Sequence, residues 1–367
     1  MHQIDLFLDL VRAGLWEQKC YLKEAGNIDF NGLYKLATEQ SLLGLILAGF
    51  EHSNLTLPKE MLWQWIGDVQ MIEQRNTEMN AFVANLMEDL RNAGVYALLV
   101  KGQGIAQCYE RPKWRASGDV DLFFNRDYCN AVEYLSTKAS SIDKEISYKK
   151  HRAMIIDSWD IDLHGSLRSG LWEKLDGVID EVQNEIFYNG RVRLWENCNT
   201  KVYLPNADED IVIVFAHILQ HFYRGGIGLR QVCDWCRLLW TFKDSIDRRL
   251  LEGRIRKMGV LGEWRSFAAL AVNILGMPEN AMPLYSSSWL WRWKSHRILD
   301  LIMKMGNFGH SRTSYQLTMP VFARKITTLW IFTKDNIRQL TISHINPFRV
   351  WYNLIRIKLF NRYGEMG

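Results

Sequence analysis

Asp119 and Asp121 stand two positions apart in Gly118-Asp119-Val120-Asp121-Leu122, and a third carboxylate, Asp162, follows in Asp160-Ile161-Asp162-Leu163-His164. Upstream, Leu98-Leu99-Val100-Lys101-Gly102 reads as an apolar strand closed by a glycine turn. Side chains alternate across a strand, so Asp119 and Asp121 project from one face roughly 7 Å apart. Carboxylates at that spacing can share a hard, oxygen-seeking cation such as Mg²⁺, which keeps some waters and takes further ligands from phosphate oxygens. Asp162 completes the cluster if its strand lies beside the first. Two such ions would activate an attacking oxygen and stabilise a leaving one in an in-line displacement. Gly102, with no side chain, lets backbone N–H groups approach a phosphate, and a helix opening near Gln103 would add its positive end. Lys101 supplies a cation at the same corner.

Alternating acids on an exposed strand edge are commonly just solvated. Here Val120, Leu122, Phe123 and Phe124 flank the pair and argue for a largely buried strand with carboxylates at one end. Buried charge is costly unless it is paired or bound to metal.

At Leu99-Val100-Lys101-Gly102, Arg115-Ala116-Ser117-Gly118-Asp119-Val120-Asp121, Ile161-Asp162-Leu163-His164 and the downstream His217 to Asp234 segment, the chain resembles the nucleotidyltransferase superfamily typified by DNA polymerase beta. It is more closely similar to a bacterial group of uncharacterised nucleotidyltransferases in which Lys-Gly stands where better-known members have Gly-Ser. The resemblance spans residues 30–240. It implies that Asp119 and Asp121 bind the metals, that Asp162 is the third carboxylate, and that Gly102 lies against the triphosphate. The matched runs also place Lys101, Arg115, Ser117, Gly118, His164, His217, His221 and Arg230 at the nucleotide. The missing serine hydroxyl bears on how the nucleotide is held, not on the metal cluster.

At 367 residues the chain is long enough for two or three units with substantial cores. Six cysteines at irregular positions show no disulfide framework, which fits a reducing cytoplasm. The longest apolar runs are about nine residues, far short of the roughly 20 that span a bilayer. Charge is uneven. Residues 289–367 hold thirteen Lys/Arg against three Asp/Glu, net +10, which leaves −6 for the rest of the chain. Such asymmetry often marks a surface for polyanions or anionic lipid.

The elements that must position the acids follow from periodicity. Residues 1–94 read as helical, with a long segment from Lys59 to Arg91 stopped at Asn92-Ala93-Gly94. Residues 95–204 read as a small mixed α/β sheet, which the resemblance implies is the nucleotidyltransferase palm. Its strands are expected at Val95–Val100, Asp119–Phe124 and Ala153–Leu163, its helices at Ile105–Tyr109 and Tyr128–Ser140. Asn189-Gly190 gives a hairpin signal within Ile186–Leu194. Residues 205–367 read as a helical domain, opened by Asn206 and Glu209 as a capping box and broken at Arg224-Gly225-Gly226-Ile227-Gly228. The fold class is therefore α/β (α+β), a palm between helical regions.

Other constellations have plain alternatives. His217 and His221, four apart on one helix, have metal spacing but lack the glutamate of a zinc-protease motif, and a polar helix face bordering the cleft is favoured. Cys233-Asp234-Trp235-Cys236 lies within a helix with no second pair, so a packed face is favoured over zinc or redox chemistry. Arg230 and Asp234 have the spacing of a helical ion pair. Arg111, Lys113 and Arg115 could neutralise a triphosphate or simply be solvated. His164 shares the face of Asp162 and could move a proton or hydrogen-bond a carboxylate. In the tail, Phe348, Trp351, Tyr352, Ile355 and Leu359 form an apolar stripe that fits a packed helix better than peripheral membrane contact.

The leading expectation is a metal-dependent nucleotidyltransferase moving a nucleoside monophosphate from an NTP, with two Mg²⁺ ions, to a small-molecule, glycan or protein acceptor. The alternatives are a nucleotide-binding module without catalysis, and an RNA-modifying enzyme gripping phosphates with its basic tail. The acidic first two-thirds of the chain argue against nucleic acid as the acceptor.

Overall fold

The computed structural model describes residues 3–21, 28–147, 150–224 and 226–305. Helices α1 (Gln3–Trp16), α2 (Phe30–Glu39), α3 (Leu43–Glu51) and the 34-residue α4 (Lys59–Asn92) precede the sheet. The expected stop of α4 is present, with Gly94 at φ +73.

The sheet has five strands: β1 (Leu98–Val100), β2 (Val120–Phe123), β3 (Ser141–Ile142), β4 (His151–Ile156) and β5 (Trp159–His164). Their spatial order is β1-β2-β5-β4-β3, with β2 and β5 parallel and every other pair antiparallel. Helices α5 (Gly102–Ala106) and α6 (Tyr128–Ser136) lie between strands. Helix α7 (Glu173–Tyr188) then leads to a separate hairpin of β6 (Val192–Asn197) and β7 (Thr200–Pro205). After the hairpin the described residues form α8 (Ala207–Arg224), α9 (Leu229–Thr241), α10 (Arg248–Met258), α11 (Leu261–Ala269) and α12 (Trp289–Met305).

Two expectations change here. The run Ala153–Leu163 is two strands folded back on each other, because Asp157 and Ser158 both take positive φ, +48 and +68, as the central pair of a type I′ turn does. The Asn189-Gly190 signal ends a helix and turns no hairpin. Leu175, Val178, Ile179, Val182 and Ile186 carry a helical stripe through Tyr188, and Gly190 at φ +64 follows as the stop. The actual hairpin turns at Cys198 (φ +49) and Asn199 (φ +64).

One sheet face is apolar. Leu99, Val120, Leu122, Ile161 and Leu163 bury against Met79, Val83 and Leu90 of α4 and Ala131 and Leu135 of α6. A second core joins the helices before the sheet to those after it, with Phe7, Leu10 and Trp65 in the same cluster as Phe215, Trp235 and Trp264. Gly44 on α3 belongs to this packing: a side chain there would collide with the Trp114 carbonyl, so α3 rests directly on the loop that leads into β2. No helix among the described residues is long and apolar enough to cross a membrane. The tail stripe from Phe348 to Leu359 lies outside the described residues.

Candidate active site

The register of the sheet carries the acids. Asp121 on β2 pairs with Val100 on β1 and with Asp162 on β5. Register partners share a face, so Asp121 and Asp162 stand abreast, opposite the apolar face, and Asp119 follows on the same side two residues earlier. One carboxylate oxygen from each of Asp119, Asp121 and Asp162 lies within 4.8 Å of the others.

The glycine corner lies directly beside them. Lys101 takes φ +58 and ψ −139, a conformation natural to glycine that costs another residue about 1–3 kcal/mol. Its Nζ is 2.8 Å from Asp121 Oδ1. Gly102 has φ +32, and a side chain there would meet only the Asp119 carbonyl at 3.6 Å among described residues, so the corner is open. His164 Nε2 is also 2.8 Å from Asp121 Oδ1, and His151 Nε2 is 3.3 Å from Asp162 Oδ2.

Charge is unevenly compensated. The Asp121 carboxylate and the cleft wall push Asp119 up to about 6. Burial opposes ionisation of Asp121, but the Lys101 ammonium and His164 ring outweigh it and hold Asp121 below the ordinary carboxylate range. Burial, then Lys101, lowers His164, and the same two causes hold His217 well below the ordinary histidine range. An oxygen-only donor set with a crowded carboxylate fits a hard divalent cation.

A clamp fixes the loop before Asp119. Arg115 donates twice to Asp234, Nε to Oδ1 at 2.8 Å and Nη2 to Oδ2 at 2.7 Å, and Tyr109 donates its hydroxyl to Oδ1 at 2.8 Å. Arg115 Nη1 reaches Ser117 Oγ at 2.8 Å, and Arg230 Nη1 donates to the Ala116 carbonyl at 3.0 Å. From α4, the Asn76 amide donates to the carbonyls of Lys113 and Arg115. Arg115 is thus a buried partner of Asp234 rather than a solvated loop base. The helical spacing of Arg230 and Asp234 gives a looser contact, 3.9 Å.

All twelve residues singled out in the sequence line one cavity of about 350 Å³: Lys101, Gly102, Arg115, Ser117, Gly118, Asp119, Asp121, Asp162, His164, His217, His221 and Arg230. His217 and His221 form part of the α8 wall, with ring centroids 4.3 Å apart. Sequence reasoning missed His151, Ser166, Arg168, Gln220 and Arg224, which line the same cavity. His151 becomes visible only once the turn at Asp157-Ser158 places it opposite His164. Arg168 is committed to Asp180, and Arg224 Nη2 donates to the Ser169 carbonyl at 2.6 Å; neither carries a sequence signal. Cys233 and Cys236 are buried in the α9 packing and burial pushes both thiols up. On α12, Trp291 is buried while Trp289 and Trp293 are exposed.

Together the fold and the site define an α/β protein with an acidic cluster that could hold a metal ion beside an open glycine corner. The family model for uncharacterised nucleotidyltransferase matches residues 26–276, and the chain belongs to that family. No curated protein and no solved structure matches it.

Proposed function

We propose that the protein transfers a nucleoside monophosphate from a nucleoside triphosphate to an acceptor hydroxyl or similar nucleophile on a small molecule, glycan or protein. The observation that carries this reading is the convergence of Asp119, Asp121 and Asp162 beside the open Gly102 corner, within one cavity. These three carboxylates would hold two divalent cations, Mg²⁺ among them, which neutralise phosphate charge and polarise the attacking oxygen when bound. The Gly102 corner offers room for the triphosphate to approach the backbone. Asp162 is placed to take the proton as the acceptor oxygen bonds to the α-phosphorus and the bond to the bridging oxygen breaks, releasing pyrophosphate. The Lys101 ammonium faces charge that builds on the phosphoryl oxygens, a preorganised electrostatic contribution. The Arg115–Asp234 clamp holds the loop that aims Asp119, and His217, His221 and Arg230 line the wall available to nucleotide or acceptor. The six cysteines are all free, which fits a cytoplasmic setting.

The test is transfer of label from α-phosphate-labelled NTPs into fractionated extract components. Mg²⁺-dependent labelling by the wild type and none by Asp119→Ala or Asp121→Ala supports the reading. Equal labelling by a folded double variant overturns it.

One contact favours a second reading, a nucleotide-binding module without turnover: Lys101 Nζ already neutralises Asp121. Calorimetry with ATP, GTP, CTP and UTP, followed by a pyrophosphate assay, separates the two. The RNA-modifying alternative rests on a basic tail that, beyond residue 305, lies outside the described residues.

A further inference from the structure

The acidic cluster shares Asp162 with a second group of potential ligands. Ligand atoms of His151, Asp162 and His164 also lie within 4.8 Å of one another. Local sheet geometry builds this group. His151 and His164 are register partners on antiparallel β4 and β5, so their rings share a face, with centroids 4.8 Å apart. Asp162 lies two residues before His164 on that same face, and its own partner across the ladder is Ala153, whose methyl group leaves space beside the carboxylate. Each histidine turns Nε2 toward the acids, His151 to Asp162 and His164 to Asp121. The side chains are 20%, 28% and 12% exposed for His151, Asp162 and His164, so all three open to the cavity without lying on the outer surface. Four of the nine histidines in the chain line this one cavity.

The donor chemistry of the two groups differs. Asp119, Asp121 and Asp162 offer oxygen alone, which suits Mg²⁺. Two imidazoles and one carboxylate suit first-row transition ions, which bind nitrogen far better than Mg²⁺ does. The geometry points to a mixed dinuclear site. His151, Asp162 and His164 hold a divalent first-row transition ion, Asp119 and Asp121 hold Mg²⁺, and Asp162 belongs to both. This rests on the acidic cluster being a cation site but not on nucleotide transfer.

The test uses the full chain, stripped of metal and without nucleotide. Zn²⁺ affinity is read by competition with a chromophoric chelator, and Co²⁺ is titrated while its visible absorption is followed. Wild type is expected to bind one Zn²⁺ per chain and to give the intense visible bands of imidazole-bound Co²⁺. His151→Gln, the more exposed of the two histidines, is expected to lose about 100-fold or more in Zn²⁺ affinity, since changes outside the direct ligands alone cost about 10–100-fold. It should retain Mg²⁺ binding and a wild-type circular dichroism melt in the absence of metal. Asp119→Asn should do the reverse, losing Mg²⁺ while keeping the Co²⁺ bands. Unchanged Zn²⁺ affinity in folded His151→Gln, or a Co²⁺ spectrum showing oxygen ligands alone, overturns the mixed site. If Mg²⁺ binding persists in wild type in that event, the oxygen site and the proposed transfer reaction still stand.

Discussion

Among the described residues, the fold treats two clusters of three acids in opposite ways. Asp208, Glu209 and Asp210 open α8, all buried, and each meets a guanidinium. Arg191 Nη2 is 2.8 Å from Asp208, Arg254 Nη2 is 2.9 Å from Glu209 and Arg193 Nη2 is 2.6 Å from Asp210. Even so, burial leaves Asp210 above the ordinary carboxylate range, with Arg193 working against it. Asp119, Asp121 and Asp162 are instead met by one ammonium and two imidazoles. Charge taken from water must be matched or it is expensive. The first cluster is matched from within and ties the β6–β7 hairpin and α10 to α8. The second keeps a surplus of negative charge facing a cavity, an arrangement that could hold a metal ion.

The largest expected effect separates the two clusters by function. Asp119→Ala or Asp121→Ala should lower transfer by about 10³-fold or more, read as pyrophosphate release, because each removes a carboxylate that would hold the cation acting on the reacting phosphate. Asp119→Asn should leave the melting temperature unchanged or raised, since it relieves repulsion with Asp121. A marked loss of stability in Asp119→Asn would mean that this cluster too is structural.

The matched cluster should respond in the opposite sense. Glu209→Gln leaves the buried Arg254 without its counter-charge and should cost about 3–5 kcal/mol in urea unfolding. Mg²⁺-dependent nucleotide binding per folded molecule should not change. A cost below about 1 kcal/mol would break the contrast.

A smaller effect comes from pH. Burial and Lys101 hold His217 well below the ordinary histidine range, so the folded chain leaves the ring neutral where the unfolded chain protonates it. Its stability contribution is complete above about pH 6.5 and is lost as pH falls toward the folded value, by up to about 1.4 kcal/mol per pH unit. Asp119, pushed up to about 6, works the other way: the folded chain keeps a proton that the unfolded chain has lost, so stability rises as pH falls from about 6 toward about 4. Comparing wild type with His217→Asn isolates the ring. Their stability difference should be constant above pH 7 and change steadily below 6.5; a difference constant from pH 7.5 to 5 would contradict the account.

The placement of the acids was readable because its signals are local. Asp119 and Asp121 alternate with Val120 and Leu122, so strand periodicity alone assigns the acids to one face and the apolar residues to the other. Gly102 marks a turn because it follows directly on the apolar run Leu98-Leu99-Val100. What escaped depends on distance or on unusual backbone. Asp157-Ser158 and Cys198-Asn199 turn hairpins with positive φ; Asp157 and Asn199 are types that tolerate it, but neither turn carries the glycine that marks a reversal most clearly. Asn189-Gly190 has the composition of a hairpin turn, but the same dipeptide serves as a helix stop, and the stripe ending at Ile186 decides between them. Glu209 has the position of a capping residue, yet its carboxylate goes to Arg191 and Arg254. The Arg115–Asp234 clamp joins residues 119 apart in the chain, a pairing that only tertiary packing creates.

The central claim is that the surplus charge of Asp119, Asp121 and Asp162 exists to bind a nucleotide through divalent cations. It is tested most directly by calorimetric titration of a non-hydrolysable nucleoside triphosphate into the protein, with and without Mg²⁺. The account predicts one saturable site in Mg²⁺, at least about tenfold weaker in chelator and lost in folded Asp121→Asn. Binding of equal strength without divalent ions and in Asp121→Asn would contradict it.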